Sequence, residues 1–137
     1  MFTATARSVD GTLQHRVDVN GRHEIVTDEP ESVGGLDTGP APHELLPAML
    51  ASCVSTMIML YAQKREWELD AVSVDVDYDP GTTPRRVATT IRLPDGLSSD
   101  QVHRLEAVAE TCPVKRALEA GFIFEHTVVA STEGLTV

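Results

Sequence analysis

Two cysteines are the residues in this sequence best suited to do chemistry. Cys53 lies within the uncharged run from Leu45 to Tyr61, and Cys112 follows 59 residues later, directly before Pro113. In a reducing compartment two such residues are free thiols, and a disulfide between them is transient and functional. The pair is therefore a candidate thiol site.

The local surroundings of the two thiols differ. Cys112 precedes Pro113 at the predicted start of a helix, where unpaired N–H groups and the nearby Lys115 and Arg116 favour a thiolate. The alternative role for Cys112 is that of a small, buried capping residue. Cys53 lies on an apolar helix stripe, which raises a thiol pKa, so by itself it resembles a core residue. Only a cation brought from elsewhere in the fold would activate it.

Other chemistries have little support in the sequence. The histidines do not form a ligand-spaced pair with each other or with the cysteines, and neither a phosphate-binding glycine loop nor a dinucleotide fingerprint occurs. We therefore expect neither a metal nor a cofactor. The histidines are His15, His23, His43, His103 and His126.

Composition favours one soluble domain over residues 1–137. The hydrophobic fraction of 42% suits a globular core, and 21 acidic against 11 basic residues argue against a nucleic-acid or anionic-membrane partner. The first residues carry no secretory pattern, so we expect a cytoplasmic protein. The uncharged run is 17 residues long and contains Pro47, which favours a core helix over a membrane span.

The elements that must position the cysteines follow from local patterns. Phe2–Val9, Thr12–Val19 and Arg22–Thr27 are predicted strands, with Asn20-Gly21 as a hairpin turn, and 28–41 is a predicted long loop. A strand from about Leu69 to Tyr78, a turn at Gly81–Pro84 and a strand Arg85–Leu93 follow. Ser98 or Ser99 caps a helix, Pro113–Ala120 forms another, and Phe122–Ala130 is a predicted closing strand.

The helix that carries Cys53 is apolar on more than one face. One stripe at helical spacing consists of Leu46, Met49, Leu50, Cys53, Met57 and Leu60. The opposite face carries Ala48, Ala51, Ser55 and Ile58, so we expect cover by a sheet or by a partner subunit. Pro47 indicates that the helix either kinks there or becomes regular near that residue.

The two cysteine segments together resemble a known family. "GGLDTGPAPHELLPAMLASCVSTMIMLYAQKREWEL" and the later "AETCPVKRALE" are similar to the OsmC/Ohr family (osmotically inducible protein C / organic hydroperoxide resistance). The resemblance implies an α+β fold, an OsmC-like two-sheet domain with a long central cysteine-bearing helix, and an interlocked homodimer with sites at its interface.

The resemblance also implies an activity. The thiol matching Cys53 would reduce organic hydroperoxides through a sulfenic acid, and the thiol matching Cys112 would resolve it into a disulfide. Lipoyl or small dithiols would be the external reductants, without a bound cofactor. The alternative is a non-catalytic protein of the same fold that binds a small apolar ligand or senses redox state.

Two further site residues come from the resemblance, which implies an arginine from the N-terminal strands and a carboxylate at the start of the cysteine helix. Arg16 is the preferred arginine, with Arg22 and Arg7 as alternatives. The sequence departs from the hydroperoxide reductases by placing His43 where their glutamate belongs, and Glu44 one residue later. Glu44 matches the broader OsmC-like branch.

Overall fold

A computed structural model describes residues 1–130 of the chain. It divides into two compact units, Met1–Leu45 with residues 125–130, and Leu46–Phe124. The architecture is α+β, with two small antiparallel sheets and one long helix. The elements are β1 (Ala4–Ser8), β2 (His15–Val19), β3 (His23–Thr27), α1 (Leu45–Lys64), β4 (Ser73–Asp79), β5 (Arg86–Arg92), α2 (Ser99–Ala109) and α3 (Pro113–Ala120). A single domain over residues 1–137 stays a prediction.

The first unit contains the sheet β1-β2-β3, in which neighbouring strands are antiparallel. Val19 pairs with His23 across the predicted turn. Asn20 and Gly21 have φ values of 56° and 70°, the left-handed conformation that a tight two-residue hairpin turn requires. The hairpin prediction is therefore confirmed, although three residues, Asn20, Gly21 and Arg22, separate the paired Val19 and His23 where the sequence predicted two.

A buried carboxylate organises the loop between β3 and α1. Asp28 is only 1% exposed, and its carboxylate accepts hydrogen bonds from the backbone N–H groups of Glu29, Leu36 and Thr38 at 2.8, 3.3 and 3.2 Å. The Thr38 hydroxyl donates a fourth at 2.6 Å. The bond from this hydroxyl, followed by those from the backbone, lowers the pKa of Asp28 against the opposing effect of its burial. The predicted loop is thus a compact structure, with a 3₁₀ turn at Glu31–Val33.

Helix α1 begins at Leu45, two residues before Pro47, and follows a 3₁₀ turn at Pro42–Glu44. Pro47 therefore lies in the first helical turn. Backbone N–H groups of that turn have no acceptor within the helix, so a residue without an N–H is tolerated there.

The buried side of α1 differs from the predicted stripe. Leu50, Val54, Ile58 and Ala62 form the buried row, spaced four residues apart. Ile58, predicted on the opposite face, is fully buried, whereas Met49 and Leu60 are 45% and 48% exposed. The sequence predicted cover on both faces, by a sheet or by a partner subunit, and within the described chain one row has it; a helix apolar on several faces does not indicate which face packs within its own chain. Ala48, Met49, Ser52, Thr56 and Leu60 form its exposed face.

Within residues 1–130, Pro42–Lys64 has the length and hydropathy of a membrane span. A core helix of a soluble protein meets the same criteria, so this is weak evidence for a membrane segment.

The second unit packs its core around α1. Leu105 and Cys112 are fully buried beside the α1 row, and Leu69 and Ala109 complete the cluster. Strands β4 and β5 form an antiparallel pair, as predicted. Along β4 exposed and half-buried residues alternate, which confirms its half-buried character.

The two later helices begin and end at the expected residues. Ser98 caps α2, because its hydroxyl accepts from the Gln101 N–H at 3.1 Å while the Gln101 side chain accepts from the Ser98 N–H at 2.9 Å. Pro113 is the first residue of α3, and Gly121 ends it with φ 77°.

The predicted closing strand is wrong for the described part of the chain. Residues 121–130 form no strand there, although their composition suits one. A strand also needs a pairing partner, which composition cannot supply. Its large apolar side chains are exposed, namely Phe122, Ile123, Phe124, Val128 and Val129.

Candidate functional site

The structure brings the two cysteines together in the second unit. Cys53 lies in the middle of α1, and Cys112 lies in the turn between α2 and α3. Both thiols are free; Cys112 is fully buried, and Cys53 is half-buried against the cluster that contains Cys112. Their side chains are close enough to interact. Two thiols separated by 59 residues therefore lie within reach of each other.

Cys112 also caps α3. Its sulfur accepts a hydrogen bond from the Lys115 backbone N–H at 3.5 Å, so it satisfies one of the free donors of the first helical turn. Both roles considered for Cys112 in the sequence are thus compatible with the structure: it caps a helix, and it contacts the other thiol.

The surroundings of Cys53 favour the neutral thiol. Burial raises the pKa of Cys53, and the hydrogen bond with the Cys112 side chain raises it further. The Val114 backbone N–H opposes both effects but does not reverse them. This direction agrees with the expectation from the apolar stripe, and it means that a reactive Cys53 requires a cation beside it.

The candidate arginines belong to the first unit. Arg16 in β2 is the register partner of Arg7 in β1, so two guanidinium groups share one face of the sheet. Arg22 lies in the turn before β3. The pairing of Arg16 with Cys53 remains a prediction.

Glu44 ends the 3₁₀ turn that leads into α1. Its carboxylate oxygen Oε1 accepts from the Ala41 backbone N–H at 2.9 Å, which ties the turn together. His43 precedes it in the same turn. The structure thus gives Glu44 a structural contact at the start of the cysteine helix, and its role toward Cys53 remains a prediction.

Two cavities lie along β5 in the second unit, and sequence reasoning missed both. The larger, of about 320 Å³, is lined by Leu50, Arg85, Val87, Thr89, Lys115, Leu118 and Glu119. The smaller, of about 240 Å³, shares Thr89 and extends between β5 and α2. Leu50 lies three residues before Cys53 and Lys115 three residues after Cys112, so the larger cavity adjoins the segments that carry the thiols.

A metal centre finds no support in residues 1–130. No group of three or more histidine, cysteine, aspartate or glutamate side chains in that range is placed to hold an ion.

Solved structures of similar shape come from several bacteria. A protein from Psychrobacter arcticus 273-4, described as an osmotic stress induced and detoxification response protein, is 28% identical, with a TM-score of 0.70 over 85% of this chain and 87% of its own. An organic hydroperoxide resistance protein OsmC from Legionella pneumophila is 23% identical, with a TM-score of 0.58 over 86% and 88%. The organic hydroperoxide resistance protein OhrB of Bacillus subtilis is 20% identical, with a TM-score of 0.55 over 85% and 88%.

The sequence comparison identifies the family. No curated protein matches the chain closely enough to count as a relative. Residues 35–127 match the family described as OsmC-like protein, and this range includes α1 with Cys53 and the turn with Cys112. The solved structures show the same fold. The chain belongs to the OsmC-like protein family.

Proposed function

We propose that the protein is a thiol-dependent peroxidase that reduces organic hydroperoxides, with Cys53 as the attacking thiol and Cys112 as the resolving thiol. The observation that carries this proposal is the contact between two free thiols, one of them half-buried among apolar side chains. Membership in a family whose solved relatives include organic hydroperoxide resistance proteins supports it.

The proposed reaction needs only an alkyl hydroperoxide and an external dithiol. The Cys53 thiolate attacks the peroxide, an S–O bond forms as the O–O bond breaks, and the alkoxide takes a proton to leave as the alcohol. The Cys112 thiol then displaces water from the Cys53 sulfenic acid and forms a disulfide. A lipoyl or other small dithiol reduces this disulfide to two thiols and is itself oxidised to a disulfide.

Activation of the Cys53 thiol requires residues outside its own helix. Because burial raises the pKa of Cys53, we propose that Arg16 and Glu44 together hold it as a thiolate. We further propose a cytoplasmic homodimer, since the exposed face of α1 and the apolar residues 122–129 would gain cover from a second copy.

Peroxide consumption tests the proposal. With dihydrolipoamide as reductant, the wild-type protein should consume cumene hydroperoxide over many turnovers. Cys53→Ser should abolish the fast oxidation step, whereas Cys112→Ser should keep it for one turnover and then accumulate Cys53 sulfinic acid. A fast step that survives in Cys53→Ser and is lost in Cys112→Ser would reverse the two roles. Absence of turnover in the wild-type protein would refute the peroxidase.

A second candidate function is the non-catalytic binding of a small apolar ligand. The smaller cavity along β5, lined mostly by apolar side chains, favours it. Binding of an apolar ligand without peroxide turnover would support this alternative over the enzyme.

A further inference from the structure

The cavity of about 320 Å³ is lined by both apolar and charged residues, and the charged ones are Arg85, Lys115 and Glu119. Leu50 of α1, Val87 of β5 and Leu118 of α3 supply its apolar wall, and Thr89 supplies a hydroxyl. Its volume is at the lower end of the range for small-molecule pockets, about 300–1,000 Å³. At about 30 Å³ per water-sized group, it has room for roughly ten heavy atoms.

Only one of the two adjacent arginines at the start of β5 lines the cavity. Successive side chains of a strand point to opposite faces, so Val87 and Thr89 face the same way, and both line the cavity together with Arg85, the residue directly before β5. Arg86, the first residue of β5, points to the other face and is absent from the lining. The two adjacent arginines therefore have different surroundings.

The two cations that line the cavity also differ in their partners. The Lys115 ammonium lies 2.7 Å from a Glu110 oxygen and 3.0 Å from a Glu119 oxygen. Its hydrogen bonds to Glu110 and then Glu119 raise the pKa of Lys115, so it stays charged but its charge is offset. Arg85 donates through Nε to the Pro80 carbonyl at 3.4 Å. Among residues 1–130 no carboxylate forms an ion pair with Arg85.

We infer that this cavity binds the anionic end of an amphiphilic ligand, an alkyl carboxylate, with Arg85 as its counter-ion and the alkyl chain against Leu50, Val87 and Leu118. A guanidinium pairs with a carboxylate through two N–H donors, and the apolar wall suits a chain of several methylene groups. The inference rests on the proposed function in one respect. If the protein is a peroxidase, the ligand that it turns over is a hydroperoxide that carries a carboxylate. Arg85 is then a specificity residue remote from the thiol chemistry.

Octanoate is a suitable probe, since it has ten heavy atoms, one negative charge and no peroxide group. Calorimetric titration of the wild-type protein should show saturable octanoate binding that weakens with added salt. Octan-1-ol, with a chain of the same length and no charge, should bind more weakly.

Two charge-matched variants decide the role of Arg85. Arg85→Gln should weaken octanoate binding roughly tenfold, as expected for the loss of a charge-assisted hydrogen bond, and change octanol binding less than twofold. Arg86→Gln removes the same charge from the opposite face of β5 and should leave both affinities unchanged.

Octanoate binding and peroxide turnover are measured separately, so the anion subsite and the peroxidase activity can fail independently. The inference is overturned if octanoate does not bind, if both variants weaken its binding equally, or if Arg85→Gln weakens octanol to the same extent. Octanoate binding that depends on Arg85 in a protein without turnover would retain the anion subsite and refute the peroxidase. Turnover of cumene hydroperoxide without octanoate binding would retain the peroxidase and refute the anion subsite.

Discussion

Cys53 shows how one side chain can be suited to a reaction and still need help to perform it. Its apolar neighbours provide a surface for an alkyl group, but the same burial raises its pKa and so decreases the thiolate fraction at neutral pH. The Val114 N–H opposes this effect only in part. A nearby cation would lower the pKa again, because it stabilises the charged form. The guanidinium of Arg16 is our candidate for that cation.

Replacement of Arg16 tests this assignment through a pH profile. Arg16→Gln should raise the apparent pKa of Cys53, so its alkylation by iodoacetamide at pH 7 should slow by roughly tenfold, equivalent to about one pKa unit. The rate of each cysteine is followed by peptide mass spectrometry between pH 6 and 10.

Arg86→Gln is the matched control, because it removes the same charge from β5, which carries none of the candidate arginines. A larger shift in Arg22→Gln, in the hairpin turn, would transfer the role to Arg22. Identical profiles for wild-type protein and Arg16→Gln would exclude Arg16. A larger shift in Arg7→Gln, at the register partner of Arg16, would transfer the role to Arg7.

At the scale of elements, predictions based on local chemistry succeeded. The Asn20-Gly21 turn, the Ser98 cap and the Pro113 start each depend on residues within a few positions of one another, and the structure confirms all three. The prediction that depends on a distant partner, the strand at residues 122–130, failed, and the sequence did not indicate which side of α1 packs within its own chain. The contact between Cys53 and Cys112 is also non-local, and it was expected only through the family resemblance.

The loop closed by Asp28 is an element whose order the sequence did not indicate. An aspartate in an acidic, glycine-rich loop usually faces solvent, but here three backbone N–H groups and one hydroxyl converge on the carboxylate. Added side chains would also disturb the loop: a Cβ at Gly35 would collide with the Glu29 carbonyl oxygen. The loop leads directly into the turn that carries Glu44.

Asp28→Asn should destabilise the protein, because an amide NH₂ cannot accept the hydrogen bonds that one carboxylate oxygen receives. We expect a melting temperature about 5 °C lower at pH 7. The lowered pKa of Asp28 means that its carboxylate contributes stability above the unfolded-state pKa, about 3.9, and loses it as pH falls through the folded-state pKa. The difference between wild-type and variant protein should therefore shrink below about pH 4.

Asp37→Asn is the control for that measurement. Asp37 lies in the same loop, is exposed, and has a φ of 54°, which asparagine also tolerates. Scanning calorimetry of both variants at several pH values decides the matter. Equal melting temperatures for wild-type protein and Asp28→Asn, or an equal loss in the control, would contradict the role of the buried carboxylate.

At the scale of the whole molecule, the described chain leaves apolar surface without cover. Met49 and Leu60 on α1 are about half exposed, and Ile123 and Phe124 are 93% and 86% exposed. Exposed large apolar side chains of this kind are typical of a face that another chain covers. Residues 122–130 form no strand within the described chain although their sequence suits one, so pairing with a second copy would cover their side chains and extend a sheet.

We expect a dimer in solution, with a mass by sedimentation equilibrium of about twice the 14.8 kDa of one chain at micromolar concentration. Ile123→Glu should shift the equilibrium toward the monomer and make the melting temperature more dependent on protein concentration, because it places a charge in the proposed interface. Val33→Glu, at an apolar residue that is 62% exposed in the loop, should remain dimeric. A wild-type mass near that of one chain would refute the dimer. A dimer unchanged in Ile123→Glu would place the interface elsewhere than residues 122–130, with the exposed face of α1 as the remaining apolar surface to test.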